Sequence, residues 1–312
     1  MRAVAGGSVR GMADAPVTRG PVRALASALR PVQWLKNGLI VVAPVAAGMA
    51  TDADVVRHTG AAFLCFCAVA SAIYLINDVR DAAADRVHPT KRYRAIAAGQ
   101  LSPAAAIAAA VVLLVVAFTL PLALWQPEGL YLVLALYVAI HLAYNFGLKE
   151  VPVLELAAVA SGFFLRAYAG AVASHIGVSI WFLAVISFGA LFLVVGKRSS
   201  ELAHVGTGAT RKVLAEYSPD FLHSALTMSA TVVVTTYLLW AFETTPGGLS
   251  TLRHHIVPIR LSIVPVVLAI LYVMRAAETT QGQAPEDLLY RNRVVQSLGL
   301  LWAALLYVGI YR

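Results

Sequence analysis

Charge is what this 312-residue chain has least of. Only 13% of its residues are charged, 60% are hydrophobic, and the mean hydropathy is +0.76. A soluble domain carries about 25% charged residues, so a water-facing surface is excluded and the natural solvent is lipid. Cysteine is nearly absent. Cys65 and Cys67 stand two apart in one apolar run, where helix geometry points them to different sides. No metal-ligand pattern surrounds them. Both read as small apolar fillers, which excludes a disulfide scaffold and a zinc site. Residues 1–20 have no apolar h-region, so they do not read as a secretory signal; the expectation is a disordered cytoplasmic tail. No internal repeat is evident.

What is present is apolar runs of membrane-crossing length. A spanning helix needs about 20 apolar residues, and nine segments qualify as candidates: 37–51, 57–77, 103–124, 129–147, 152–173, 179–196, 221–243, 257–274 and 294–311. The expected fold is an all-α polytopic membrane protein. The first span is short and holds Pro44. The third opens on Ser102-Pro103, a good N-cap and first-turn pair. Residues 21–36 place Val22, Leu25, Leu29 and Val32 at helical spacing among Arg23, Arg30 and Lys36. That pattern predicts an interfacial amphipathic helix, ended or kinked at Pro31. The organisation is therefore a tail (1–20), an interfacial helix (21–36) and a nine-helix domain (37–312).

Lys and Arg set the orientation. With these spans, 19 fall on the side that holds the N-terminus and 4 on the other, with Arg166 left inside a span. The N-terminus is expected in the cytoplasm and the C-terminus outside, in a multi-pass plasma-membrane protein. The net charge of +8 is then topology and implies no nucleic-acid partner. The long basic-side loops, 79–102 and 197–220, place function at the cytoplasmic face.

The segment from Tyr74 to Asp85 carries the strongest chemical signal. At about 100° per residue, Tyr74, Asn77, Asp78, Asp81 and Asp85 share one arc of a helix. Three carboxylates on one face repel unless a cation sits between them. Hard oxygens that leave room for water and phosphate suit Mg²⁺. The competing reading is a plain acidic helix end, which would scatter its charges. Downstream, His88-Pro89-Thr90-Lys91-Arg92-Tyr93-Arg94 gathers cations near the acids. This is either a phosphate cradle, led by Lys91 and Arg92, or ordinary positive-inside charge. Arg166 in mid-span costs at least about 2.5–3.5 kcal/mol to insert. It is expected to face a ligand cavity or to pair with Glu155. Lys197 and Glu201 are an i,i+4 pair. His141 and His175 read as packing or interfacial residues.

These motifs resemble the UbiA superfamily of intramembrane prenyltransferases. Asn77-Asp78-x-x-Asp81-x-x-x-Asp85 carries the likeness. Arg30-Pro31-x-Gln33-Trp34-x-Lys36-Asn37, Tyr144-Asn145-Phe146-Gly147-Leu148-Lys149, Gly162-Phe163-x-x-Arg166 and Gly196-Lys197-Arg198-x-x-Glu201-Leu202 extend it to a phosphoribosyl-transferring branch, over residues 25–312. The resemblance implies nine helices around a central cavity open to the cytoplasm, and a homo-oligomer, suspected to be a trimer. It implies Mg²⁺ on Asp78, Asp81 and Asp85. It implies substrate contacts from Lys36, Tyr74, Asn77, Lys91, Arg92, Tyr144, Lys149, Glu155, Arg166, Lys197 and Arg198. The implied reaction moves 5-phosphoribose from phosphoribosyl diphosphate (PRPP) to a polyprenyl phosphate such as decaprenyl phosphate, releasing diphosphate, for arabinan precursors of the cell wall. Two departures stand out. The second aspartate motif of ordinary members is missing, and that region reads Lys149-Glu150-Val-Pro-Val-Leu-Glu155. Asn292 stands before Arg293 where the family has an acid. The alternatives are a prenyltransferase acting on an aromatic acceptor, which needs that second motif, and a non-catalytic lipid carrier or transporter. A transporter places its charges at the bilayer midplane, whereas these acids sit at a rim.

Overall fold

The computed structural model describes residues 20–124, 128–203, 212–243, 256–279, 288 and 292–312. The expected tail, apart from Gly20, lies outside them, as do Arg211, Arg291 and most of the 244–256 and 280–291 loops. Among the described residues every regular element is helical. Eight helices are long and apolar enough to cross a membrane.

The chain opens with α1 (Pro21–Ala28), shorter than the interfacial helix expected over 21–36. It breaks at Arg30, whose φ of 54° is left-handed; a residue before proline is sterically barred from continuing the helix. A 3₁₀ segment, Pro31–Val41, then runs directly into α2 (Val42–Ala46). This stretch replaces the α-helical span expected at 37–51. Eleven 3₁₀ residues at about 2.0 Å and five α residues at about 1.5 Å cover roughly 30 Å, the thickness of a bilayer core. Its ends agree with a crossing. Arg30 meets Asp78 at one end, and the Tyr311 hydroxyl donates to the Val45 carbonyl at the other (3.0 Å).

The following helices alternate direction: α3 (Ala53–Arg80), α5 (Pro103–Leu124), α6 (Glu128–Phe146), α7 (Leu154–Ala173), α8 (Ile180–Ala203) and α9 (Pro219–Phe242). After them come α10 (Ile256–Leu261) with α11 (Ile263–Thr279), and α12 (Arg293–Tyr311). A short α4 (Ala82–Val87) follows α3. Side-chain caps start five of the helices, and at α8 Ser179 accepts from Phe182 N. Asp52 accepts from Asp54 N and Val55 N, and Ser102 from Ala105 N. Ser218 accepts from Phe221 N, and Asn292 from Val294 N and Val295 N. The departure at Asn292 is thus a working N-cap.

The first crossing lies in the groove between α3 and α7. Trp34 Nε1 donates to Ser71 Oγ (3.0 Å) and Asn37 Nδ2 to Cys67 Sγ (3.3 Å), so the crossing runs antiparallel to α3. On α7, Gly170 permits the approach: a Cβ there would lie 1.8 Å from the Ile40 carbonyl oxygen. Cys65 and Cys67 are free and buried, as expected. An apolar cavity of about 320 Å³ lies between the first crossing, α8, α9 and α12, lined in part by Val45, Phe182, Trp240 and Trp302.

Candidate active site

The charged residues that lipid would reject collect where α3, α4, α6, α7 and α8 meet the loops. The acidic segment is not one straight helix. α3 ends at Arg80, Asp81 caps it, and α4 restarts at Ala82. Backbone i→i−4 hydrogen bonds still run through Asp81, from Asp81 N to the Asn77 carbonyl (2.9 Å) and from Asp85 N to the Asp81 carbonyl (2.8 Å), but the acids take different cations. Asp78 and Asp85, both 4% exposed, turn to one side, where Nη1 of Arg94 bridges them at 3.1 and 2.8 Å. Arg30 forms a second ion pair with Asp78 and lays its guanidinium over the Tyr74 ring, 4.9 Å from the centroid. Asp81 is half-buried and meets Lys149 Nζ at 3.1 Å. Asn77 is half-buried beside them.

Two of these cations were not singled out from sequence. Arg94 ended a cluster in which Lys91 and Arg92 looked strongest. Both of those are exposed, and Arg92 turns to its neighbour, donating to the Tyr93 hydroxyl at 2.7 Å. Arg30 lies 48 residues from Asp78, so only the bend before Pro31 reveals it.

A second charged group stands on α7 and α8. Glu155 is fully buried and accepts from Arg198 at both carboxylate oxygens, with Nε and Nη2 each at 2.7 Å. This bidentate geometry is the strong one. Arg198 Nη1 also reaches Glu201 at 3.0 Å, and Tyr144 lies in electrostatic contact with Arg198. The expected Arg166–Glu155 pair is therefore not formed. Arg166 is buried deeper, donating to Asn37 Oδ1 (2.7 Å), the Gly162 carbonyl (2.7 Å) and the Tyr137 hydroxyl (2.6 Å). It also packs over the Tyr137 and Phe163 rings. Among the described residues, no carboxylate pairs with it. His141 stacks on Tyr137, in keeping with a packing role. Lys197 is half-buried at the end of α8, and Lys36 is exposed on the first crossing. Asn145, at the end of α6, is buried with its Nδ2 lacking a partner among the described residues.

The donor set fits a hard divalent cation. Arg94 Nη1 marks a point where one positive centre satisfies both Asp78 and Asp85. Among the described residues, no three carboxylate, imidazole or thiol groups converge into a closed cage. Mg²⁺ does not need one, since it commonly takes one or two carboxylates plus water and substrate phosphates. Around that point Arg30, Arg94 and Lys149 supply cations of the kind that hold phosphate oxygens.

The chain is similar to known proteins over most of its length. Residues 40–298 match the UbiA prenyltransferase family. The decaprenyl-phosphate phosphoribosyltransferase of Corynebacterium glutamicum is 43% identical, with 91% of this chain and 86% of that protein covered. The protein of the same name from Mycobacterium tuberculosis is 43% identical, over 94% of this chain and 97% of that protein. Among solved structures, a UbiA homolog from Archaeoglobus fulgidus bound to DMAPP and Mg²⁺ superposes with a TM-score of 0.69 at 18% identity, covering 92% of this chain and 97% of that one.

Proposed function

Because this chain belongs to the UbiA prenyltransferase family, we propose that it transfers 5-phosphoribose from PRPP to decaprenyl phosphate or a close polyprenyl phosphate, releasing diphosphate. The relatives named above support the reaction. One observation from the site carries the choice of donor. Glu155, the acid that stands where a second metal-binding motif would be, is sealed in a buried bidentate pair with Arg198. A site with acids on one side and cations on the other suits a donor with a diphosphate at one end and a phosphomonoester at the other.

In this reading Asp78, Asp81 and Asp85 would hold Mg²⁺, as would suit a family whose solved relatives include a magnesium-bound one. Bound there, the ion offsets the charge that grows on the departing diphosphate. Arg30, Arg94 and Lys149, which pair with these carboxylates, would also be placed to hold phosphate oxygens, joined by Lys91, Arg92 and Lys197. Tyr74 and Asn77 line the approach beside Asp78, Lys36 adds to the cationic side, Tyr144 brings a phenol hydroxyl, and Arg198 backs the site through its pair with Glu155. Arg166 acts from below. An oxygen of the acceptor phosphate attacks the anomeric carbon as the bond to diphosphate breaks, which inverts that centre. The second pKa of a phosphate monoester is about 6, so the acceptor is already ionised and no general base is required. The site faces the cytoplasm, following the 19-to-4 distribution of Lys and Arg, and the product feeds cell-wall arabinan precursors. A homo-oligomer, a trimer, is part of the same reading.

The test is an assay of purified protein with two substrate pairs, PRPP with polyprenyl phosphate and prenyl diphosphate with an aromatic acid. Magnesium-dependent turnover of the first pair is expected. Turnover of the second pair alone makes the protein a prenyltransferase, and turnover of neither favours a lipid carrier.

A further inference from the structure

A buried tyrosine that meets the charged cluster at Glu155 also holds the turn on which half of that cluster stands. The chain enters α7 through Val151-Pro152-Val153. Val153 has φ 65° and ψ −47°, an outlying conformation for a β-branched residue that costs on the order of 1–3 kcal/mol. Glycine would adopt positive φ without that cost, so a valine persists there only because its surroundings impose the shape. The backbone N–H of Val153 is one of the donors a helix start leaves without an internal partner. It donates to the Tyr217 hydroxyl at 2.8 Å. Tyr217 arrives from the other site-side loop, just before α9. It is 6% exposed, and its ring stacks on Phe221 with centroids 5.6 Å apart. The two arms of the turn carry site residues. Lys149, before it, meets Asp81; Glu155, after it, meets Arg198.

We infer that Tyr217 is a positioning residue: its hydroxyl pins the Val153 turn and so fixes Lys149 and the Glu155–Arg198 pair against the aspartates. The inference rests on reading this site as the phosphate-binding site proposed above. Burial raises the Tyr217 pKa, and hydrogen bonding to Glu155 acts in the same direction against the lowering effect of the Val153 contact. The hydroxyl therefore stays protonated across the working range of pH.

Tyr217→Phe deletes the hydroxyl and keeps the ring. Titrated with magnesium and inorganic diphosphate, the leaving group common to PRPP and prenyl diphosphate, Y217F should bind about tenfold more weakly than wild type. The estimate follows from one lost hydrogen bond and a site displaced by a fraction of an ångström. Turnover of PRPP with polyprenyl phosphate should lose kcat by at least as much. Adding Val153→Gly relieves the strain that the hydroxyl restrains, so the double variant should regain most of the affinity and turnover. Loss of a merely structural bond would not be repaired this way. Wild-type diphosphate affinity in Y217F overturns the inference, and so does a defect that Val153→Gly leaves unchanged. If Y217F weakens diphosphate binding while the wild type fails to turn over PRPP, the pinning role stands and the proposed reaction falls.

Discussion

Gly170→Ala is the smallest change expected to disable the site from a distance. The added Cβ would lie 1.8 Å from the Ile40 carbonyl oxygen and 2.8 Å from its carbon, both backbone atoms. Real contacts of this kind stay beyond 3.0 Å, so the first crossing must move off α7 by more than about 1 Å, with no flexible side chain to absorb the shift. Overpacking of this sort costs about 1–3 kcal/mol, and a rigid backbone contact belongs at the upper end. The displaced segment is the one that carries Asn37 to Arg166 and Arg30 to Asp78. A displacement of about 1 Å at a reacting centre can cost on the order of 10²-fold. G170A in detergent should therefore lose several degrees of Tm and about two orders of magnitude in kcat/KM. Gly60→Ala and Gly189→Ala are matched controls, because a Cβ at either position meets nothing within 4 Å; both should keep kcat/KM within about twofold. A G170A protein indistinguishable from these controls would refute the argument that the glycine sets the seat of the first crossing.

Four further outcomes are expected. Arg94→Gln should lower kcat/KM by about tenfold to a hundredfold, the range for a lost hydrogen bond to a charged group, whereas Arg92→Gln should cost less than about threefold; equal losses would contradict the geometry. Asp78→Asn or Asp81→Asn should abolish turnover with membrane insertion intact, and EDTA should abolish wild-type turnover until magnesium is restored; activity surviving these changes would remove the metal role. Glu155→Gln removes the buried counter-charge of Arg198, leaving it only the more exposed Glu201, and should cost up to about 3–5 kcal/mol in denaturant unfolding. Glu155→Leu with Arg198→Met should recover most of that, and a single variant as stable as wild type would show that the pair is not desolvated. A reporter after Arg312 should read as external and one within 79–102 as cytoplasmic; matching locations would mean an even number of crossings.

Most of the fold was legible because lipid leaves so few alternatives. Apolar runs of spanning length become helices, and Ser102, Asp52, Ser218 and Asn292 mark helix starts in their side chains. The first crossing was expected at 37–51, but its start at Pro31 and its 3₁₀ form were not legible, because a 3₁₀ segment needs fewer residues than an α-helix to cover the same thickness. The site was half visible. The spacing of Asp78, Asp81 and Asp85 signalled metal chemistry, but their partners Arg30, Arg94 and Lys149 come from other segments of the chain. Which cation serves which acid is a matter of the loop path, so Arg94 was indistinguishable from Arg92. Glu155 and Arg198 were each noticed, but their pairing joins α7 to α8 across 43 residues and has no local signature. Tyr217 stood out only as part of a loop segment, with Arg211, Lys212 and Glu216, that could cap the site, and its reach to Val153 across 64 residues has no local signature.

The neutral surroundings of Arg166 have a consequence for the whole catalytic end of the bundle. Its partners are an amide oxygen, a carbonyl, a phenol and two ring faces, so its charge is held in place without being cancelled. A fixed charge in a poorly polarisable medium is the source of a lasting field. Arg166 lies eleven residues along α7 from Glu155, which is roughly 16 Å of helix. At an effective dielectric constant of about 20, that separation gives on the order of 1 kcal/mol for each unit charge above it. A donor bearing several negative charges is drawn down onto this field, and a stray cation is pushed away by it. The bilayer that makes the arginine costly to insert also keeps water from screening it, so the attraction for anions at the rim has its source inside the membrane.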